Sequence, residues 1–345
     1  MNNNFEINGR KIGDQYLPLI IAEIGINHEG DINKAIKMVD DASAVGCECV
    51  KFQSHIIEDE MIPNNEIPGN ANESIWNIMK RCSLSEKDEY FLKKYVESKN
   101  MIYLCTPFSR KAADRLEHMG VFAFKIGSGE CNNYPLIEHI AKFRKPIILS
   151  TGMNDIDSIS KSIKIIDGAN IPYAILHCTS IYPTPYSKVR LGALAVLKKE
   201  FPKAVLGLSD HSIGNYTCFA SIPLGARILE KHFTSDKKWK GPDIPISISP
   251  KGLQDLLFGS KAIFNALGGE KNILIEEKPT INFAYACVVA IRDINTNERF
   301  SHNNIWVKRP GTGEIKATDY DKLIGKTAKR PIKNNKQIKW QDINE

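Results

Sequence analysis

The chain has 345 residues, 42% hydrophobic and 25% charged, the proportions of a globular protein with room for one large domain and a small one. Its net charge of +6 lies mostly beyond Phe283, yet without the dense basic runs and interleaved aromatics of a nucleic-acid surface, and no apolar run is long enough to span a bilayer. The opening Met1-Asn-Asn-Asn-Phe-Glu6 lacks the basic start and apolar core of a signal peptide, so a cytoplasmic protein is expected, with neither nucleic acid nor membrane as partner.

From the start, Phe5 to Pro18 alternates weakly and carries Asn8-Gly9, a hairpin signal that predicts a small ribbon over residues 1–18. Eight short apolar runs follow. They are Leu19–Glu23, Cys49–Lys51, Tyr103–Thr106, Ala123–Ser128, Ile147–Ser150, Ala174–His177, Val205–His211 and Arg227–His232. Continuous hydrophobic stretches of this length are the signature of parallel strands buried on both faces. Amphipathic patterns between them predict helices over Ile32–Val45, from Ser85, and over 109–119, 135–143, 155–166, 191–200, 215–224 and 251–267. Eight strand–helix units in alternation predict an α/β fold, a (β/α)8 TIM barrel over residues 19–269.

One long insertion breaks the repeat, His55 to Leu84, with Pro63, Pro68 and Gly69 inside it. A segment of that size beside an active-site rim is expected to act as a lid or substrate loop. Gly268-Gly269 stops the last helix, and a polar stretch with Pro279 inside it predicts a linker over 270–282. Beyond it, strands over 284–290 and 304–308 and a short helix over 320–324 make a small α+β module, 283–345. It holds twelve Lys and Arg against seven Asp and Glu and is expected to lean on something larger. The eight cysteines form no paired CxxC set, and Cys47 and Cys49 read as buried thiols.

Nearly every run ends on a reactive side chain, which is where a barrel of this kind keeps its active site. His211 and His232 close adjacent runs and would present two imidazoles at one rim, a pair suited to a divalent transition metal with free positions for substrate oxygens. Lys51 and Lys125 end two other runs, where a desolvated ammonium calls for an anionic partner. Gly127-Ser128-Gly129, Ser150-Thr151-Gly152 and Thr106 add hydroxyls and close-approach backbone, so the group describes a phosphate or phosphate-plus-carboxylate site. A Schiff-base lysine remains open as a rival. Glu23, Glu130 and Asp243 supply carboxylates for sugar hydroxyls, water or protons, and Tyr182 lies in a Tyr-Pro loop after the sixth run.

Longer stretches around these residues are familiar. Ile21-Ala-Glu-Ile-Gly-Ile-Asn-His-Glu-Gly30, Thr106-Pro-Phe-Ser109, Phe124-Lys-Ile-Gly-Ser-Gly-Glu-Cys-Asn-Asn-Tyr-Pro135 and Leu149-Ser-Thr-Gly-Met153 resemble the sialic acid synthase family. So do Leu176-His-Cys-Thr-Ser-Ile-Tyr-Pro183, Gly207-Leu-Ser-Asp-His211 and Leu229-Glu-Lys-His-Phe-Thr234. The likeness runs nearly end to end and is strongest to the bacterial N-acetylneuraminate-forming branch. The tail, with Val307-Lys-Arg-Pro-Gly-Thr-Gly313, resembles that family's antifreeze-like (SAF) domain.

The resemblance implies condensation of phosphoenolpyruvate with N-acetylmannosamine and water, giving N-acetylneuraminate and phosphate with carbon–oxygen cleavage. It implies Mn²⁺, or Mg²⁺ or Co²⁺, on His211 and His232. Phosphoenolpyruvate would be held by Lys51, Thr106, Lys125, Ser128, Ser150 and Ser180, and the amino sugar by Glu23, Tyr182 and Asp243. Glu130 would manage water and protons. A domain-swapped homodimer is implied, in which the SAF domain of one copy brings Arg309 to the sugar of the other. Legionaminate and pseudaminate synthases share the core motifs, and a pyruvate-dependent aldolase is a further rival reading.

Overall fold

A computed structural model describes residues 3–344. The ribbon is a hairpin of β1 (Asn4–Ile7) and β2 (Arg10–Gly13), paired antiparallel about Asn8-Gly9. Both turn residues have positive φ, 47° and 80°, which is what a two-residue turn matching strand twist requires. Its inward residues Phe5, Ile7 and Ile12 join Leu19, Ile21, Ile148, Leu176 and Ile228 in one apolar cluster. The hairpin therefore plugs the amino-terminal end of the barrel.

The barrel strands are β3 (Leu19–Gly25), β4 (Cys49–Ser54), β5 (Ile102–Pro107), β6 (Phe124–Ile126), β7 (Ile147–Ser150), β8 (Tyr173–Cys178), β9 (Val205–Asp210) and β10 (Ile228–His232). They form one sheet in the order β5-β4-β3-β10-β9-β8-β7-β6, with every adjacent pair parallel. β5 and β6 lie against each other without a paired ladder, so the barrel is nearly closed. The expected eight-strand α/β barrel is the fold observed.

Helices wrap the outside, and a second, larger apolar cluster fills the layer between them and the strands. Most begin where a short polar side chain can accept the first free backbone N–H. Asp31, Ser85, Ser109, Asn133, Asp155 and Ser249 all cap in this way, each contributing about 1 kcal/mol. The insertion between β4 and β5 is not bare loop, since it holds helices Ile57–Glu60 and Ile75–Cys82. No helix among the described residues is long and apolar enough to cross a membrane.

A second compact unit starts at Gly269. It contains β11 (Cys287–Ala290) and β12 (Ile305–Lys308), paired antiparallel, around Val288, Ala290, Ile294, Phe300, Ile305, Ile315, Leu323, Ala328, Ile332 and Ile338. Small as it is, the module owns an apolar core. The expected linker also needs correction. From Ile275 it is a 3-10 turn (Ile275–Glu277) leading into a helix, Lys278–Ala284, with Pro279 in its first turn. Proline there gives up an N–H that has no helical partner, so it starts the helix instead of breaking it. The short helix expected over 320–324 is a 3-10 segment, Ala317–Lys322.

Candidate active site

Strand alternation decides which side chains enter the barrel. Along β10, Ile228 belongs to the apolar floor, Glu230 and His232 face a cavity above it, and Lys231 points outward. Lys231 is fully buried there and pairs at 2.6 Å with Asp210, its register partner on β9. On β3 and β4 the same level carries Glu23 opposite Lys51. The ladder shifts between Glu23 and Gly25, where φ is +52°. That bulge re-aims the end of β3, and a Cβ at Gly25 would stand 3.0 Å from Glu23 Oε1.

The cavity of about 410 Å³ opens at the carboxyl ends of the strands. It gathers Glu23, Lys51, Thr106, Lys125, Ser128, Ser150, Ser180, Tyr182, His211, His232 and Asp243 from nine stretches of chain. Pro68, Gly69, Asn70, Ile75, Ile78 and Met79 of the insertion line its outer wall.

One half is built for an anion. Lys125 Nζ donates to Ser150 Oγ at 2.7 Å, and Lys51 Nζ donates to Thr106 Oγ1 at 3.2 Å. Ser128 Oγ accepts from the Gly152 N–H at 2.9 Å, which fixes the small-residue loops against each other, while Ser180 Oγ is buried without a partner. A Cβ at Gly152 would fall 2.3 Å from Ser180 Oγ, so the close approach needs glycine. Burial lowers the Lys125 pKa, yet Glu230 opposes this from 3.7 Å. Lys51 lies 2.8 Å from Glu23 and 3.9 Å from Glu230. Burial pushes the Glu23 carboxyl up against the pull of Lys51, whereas Glu230, which burial would also raise, is held low by Lys125 and Lys51.

The other half carries the imidazoles. The rings of His211 and His232 are 5.4 Å apart, and Tyr182 stacks on His211 at 4.1 Å. His211 Nδ1 bonds the Thr179 carbonyl at 2.9 Å, which leaves Nε2 as the free lone pair. His232 is fully buried, and burial followed by the neighbouring His211 keeps it neutral. Its Nδ1 is buried without a hydrogen bond, and the nearest carboxylate is Asp243 at 3.8 Å. Burial raises Asp243 to about 6. The Cys178 thiol and the Thr179 carbonyl raise the His211 pKa against burial. Two imidazoles over one cavity, each with a ring nitrogen free of protein hydrogen bonds, fit a first-row divalent ion, which binds them in the deprotonated form. Among the described residues no larger His, Cys, Asp and Glu cluster has metal-binding geometry.

Two expected residues lie elsewhere. Glu130, on the 3-10 turn Ser128–Glu130, does not line the cavity, and its carboxylate accepts from Asn133. The turn that aims Ser128 inward carries Glu130 round to the side. Arg309 is exposed in the second unit, beside Lys308, Asn335 and Lys336. Five polar cavity residues had no role expected from the sequence: Gln53, Asn70, Cys178, Ser209 and Glu230. The signal for Gln53 and Glu230 was present, since each lies two residues along the strand from a recognised inward side chain, Lys51 and His232. Asn70, 3.5 Å from Asp243, sits in the insertion and had no such periodicity to reveal it.

Comparison with known proteins decides what this constellation belongs to. A model of the NeuB family matches residues 38–272, and a SAF domain matches residues 285–344. The chain belongs to the NeuB family. This NeuB-family chain is 37% identical to N,N'-diacetyllegionaminic acid synthase of Campylobacter jejuni, over 93% of its own length and 98% of that protein. It is 34% identical to human N-acetylneuraminate-9-phosphate synthase over 77% of this chain and 76% of that one. Among solved structures, N-acetylneuraminic acid synthetase from Leptospira borgpetersenii, in complex with citrate, superposes with a TM-score of 0.75 at 31% identity, covering 81% of this chain and 96% of that one. The expected sialic acid synthase family and its SAF domain are both borne out, and with them an enzyme.

Proposed function

We propose that this NeuB-family enzyme condenses phosphoenolpyruvate with N-acetylmannosamine and water, releasing N-acetylneuraminate and phosphate. One observation carries the reading: the anion half and the imidazole half share a single cavity. Lys51, Lys125, Thr106, Ser128, Ser150 and Ser180 bind the phosphate and carboxylate of phosphoenolpyruvate. Glu23, Tyr182 and Asp243 orient the amino sugar. His211 and His232 would hold a divalent metal, Mn²⁺ or else Mg²⁺ or Co²⁺, whose chemistry when bound is Lewis-acid polarisation of the sugar aldehyde.

The methylene carbon of phosphoenolpyruvate forms the new bond to that aldehyde carbon. Water then adds at the former enol carbon, and the tetrahedral adduct expels phosphate by carbon–oxygen cleavage. Lys51 and Lys125 neutralise the departing phosphate and the carboxylate, and they do so from a dry site that needs no reorganisation. Glu230, kept ionised by both lysines and with Oε2 free of hydrogen bonds, takes the proton of the attacking water in place of Glu130. Arg309 of a second copy in a domain-swapped homodimer clamps the N-acetyl group.

The likeness to the Campylobacter jejuni enzyme favours a second reading in which the legionaminate precursor is the sugar. Purified protein with phosphoenolpyruvate, Mn²⁺ and a panel of amino sugars tests both, through phosphate release and product mass. Fastest turnover with N-acetylmannosamine supports the first reading, and a clear preference for the legionaminate precursor replaces it with the second. Turnover with pyruvate and no phosphate would overturn both in favour of an aldolase. Oxygen-labelled water must leave its label in the sugar acid, and label in phosphate would refute carbon–oxygen cleavage.

A further inference from the structure

A string of partly buried polar groups runs away from the cavity and ends at the root of the insertion. Glu23 Oε1 accepts from Gln53 Nε2 at 3.1 Å. Gln53 Oε1 lies 3.0 Å from His55 Nε2, and His55 Nδ1 lies 2.7 Å from Glu60 Oε2. His55 and Glu60 are buried side chains, with exposures of 2% and 8%. Gln53 and His55 are the inward and following positions of β4, and Glu60 closes the first helix of the insertion.

Hydrogen-bond logic fixes the direction of the string. The end of Gln53 that faces Glu23 is its NH2, which donates to Oε1. The other end is then a carbonyl, which obliges His55 Nε2 to carry hydrogen. The opposite ring nitrogen faces a second carboxylate, so a proton lies between His55 and Glu60 as well. Each amide and ring position is thereby committed, and none is free to flip without breaking a buried bond. Phe108, which lines the cavity, stacks on the His55 ring at 4.6 Å and blocks its rotation. The opposite side of the Glu23–Gln53 bond is kept clear by Gly25, whose missing Cβ would sit 3.0 Å from Glu23 Oε1 and 3.3 Å from Gln53 Nε2.

We propose that His55 and Glu60 are positioning residues which, through Gln53, hold the Glu23 carboxylate in the orientation that receives the amino sugar. The catalytic part of this rests on the sugar-binding role given to Glu23 above. The string also ties the start of the insertion to the site, so the segment that walls the cavity is anchored by the group it encloses.

His55→Phe removes both ring donors but keeps an aromatic ring against Phe108, and Glu60→Gln keeps a hydrogen-bond partner for Nδ1. With the full-length enzyme, His55→Phe should raise KM for the amino sugar about tenfold, the worth of one well-made buried hydrogen bond, and leave KM for phosphoenolpyruvate within about twofold. Glu60→Gln should retain most of the sugar affinity. Thermal midpoints of His55→Phe, Glu23→Gln and the double variant test the string without substrate. Loss in the double variant smaller than the combined single losses confirms it, and additive losses overturn it. If Glu23→Gln raises the sugar KM and His55→Phe does not, the positioning role is overturned. If the midpoints are coupled yet neither variant moves the sugar KM, the string stands and the role assigned to Glu23 fails.

Discussion

The two ends of the barrel are made from the same eight strands and do opposite things. At the amino end, Phe5, Ile7 and Ile12 of the hairpin meet Leu19, Ile148 and Ile228, and every one of them is buried and apolar. At the carboxyl end, the same strands place two lysines, two glutamates and two histidines in a cavity, buried as deeply but with lone pairs left over. β10 passes from one regime to the other within five residues, Ile228 to Glu230 to His232. Burial alone therefore says nothing about role. What separates the ends is whether buried groups are satisfied, and the unsatisfied end is the one that substrates complete.

The sharpest way to break this comparison is to empty the imidazole half. His211→Ala and His232→Ala should each cut turnover by more than about a hundredfold while the protein stays folded, since both face the cavity and His211 gives up only its stack on Tyr182 and one bond to the Thr179 carbonyl. Metal titration followed calorimetrically should show lost binding in both. Metal-dependent turnover in both variants would remove the pair as ligands.

The reverse experiment belongs at the floor. Phe5→Ala removes a buried ring from the plug and should cost about 3 kcal/mol of stability, read by denaturant unfolding. The kcat and KM of the molecules that remain folded should be unchanged. A rise in either KM would mean that the two ends are coupled, and the division of labour would be false.

These two ends were not equally legible in the chain. Strand positions, helix caps and the hairpin turn follow from local rules, so the barrel could be read from hydrophobic runs and from residues such as Ser85 and Asn8-Gly9. Most of the cavity followed too, because strand-end residues converge by topology. Gln53 lies two residues beyond Lys51 and Glu230 two before His232, positions that strand alternation also turns inward although neither is the last residue of its apolar run. Glu130 was misplaced for the opposite reason. Once a strand gives way to a 3-10 turn, period two no longer predicts direction, and the side chain swings to Asn133. The helical start at Pro279 was hidden because proline reads as a breaker until its position within the first turn is known.

On the outer helix Glu86–Ser98 lies a buried acid that belongs to neither end. Glu89 accepts from Ser54 Oγ at 2.9 Å and from Arg115 at 3.0 Å, and burial, opposed by Arg115, lifts its pKa from 4.5 to about 7. Its folded pKa is raised, so the fold favours the neutral acid. Its stability is complete below pH 4.5, falls as the unfolded chain ionises first, and is fully lost above about 7. The size is of the order of 3 kcal/mol at most. Glu89→Gln should therefore gain on the natural protein as pH rises from 5 to 8. A gap in melting temperature that stays constant across this range would show that Arg115 keeps the carboxylate ionised in the fold.

The smallest effect concerns the one expected site residue outside the barrel. Arg309 is exposed and its neighbours Lys308 and Lys336 are also cationic, and none of the described residues of its own unit pairs with the guanidinium fork. A planar donor pair suits an amide carbonyl, and a charge-assisted bond to a ligand contributes about 1.5 to 3 kcal/mol. Arg309→Ala should then raise KM for the amino sugar roughly tenfold or more, with KM for phosphoenolpyruvate and the melting temperature unchanged. Because an exposed side chain carries no packing, any loss can be assigned to the ligand. Equal losses for both substrates would move Arg309 from the sugar to the anion half, and no loss would confine catalysis to the barrel.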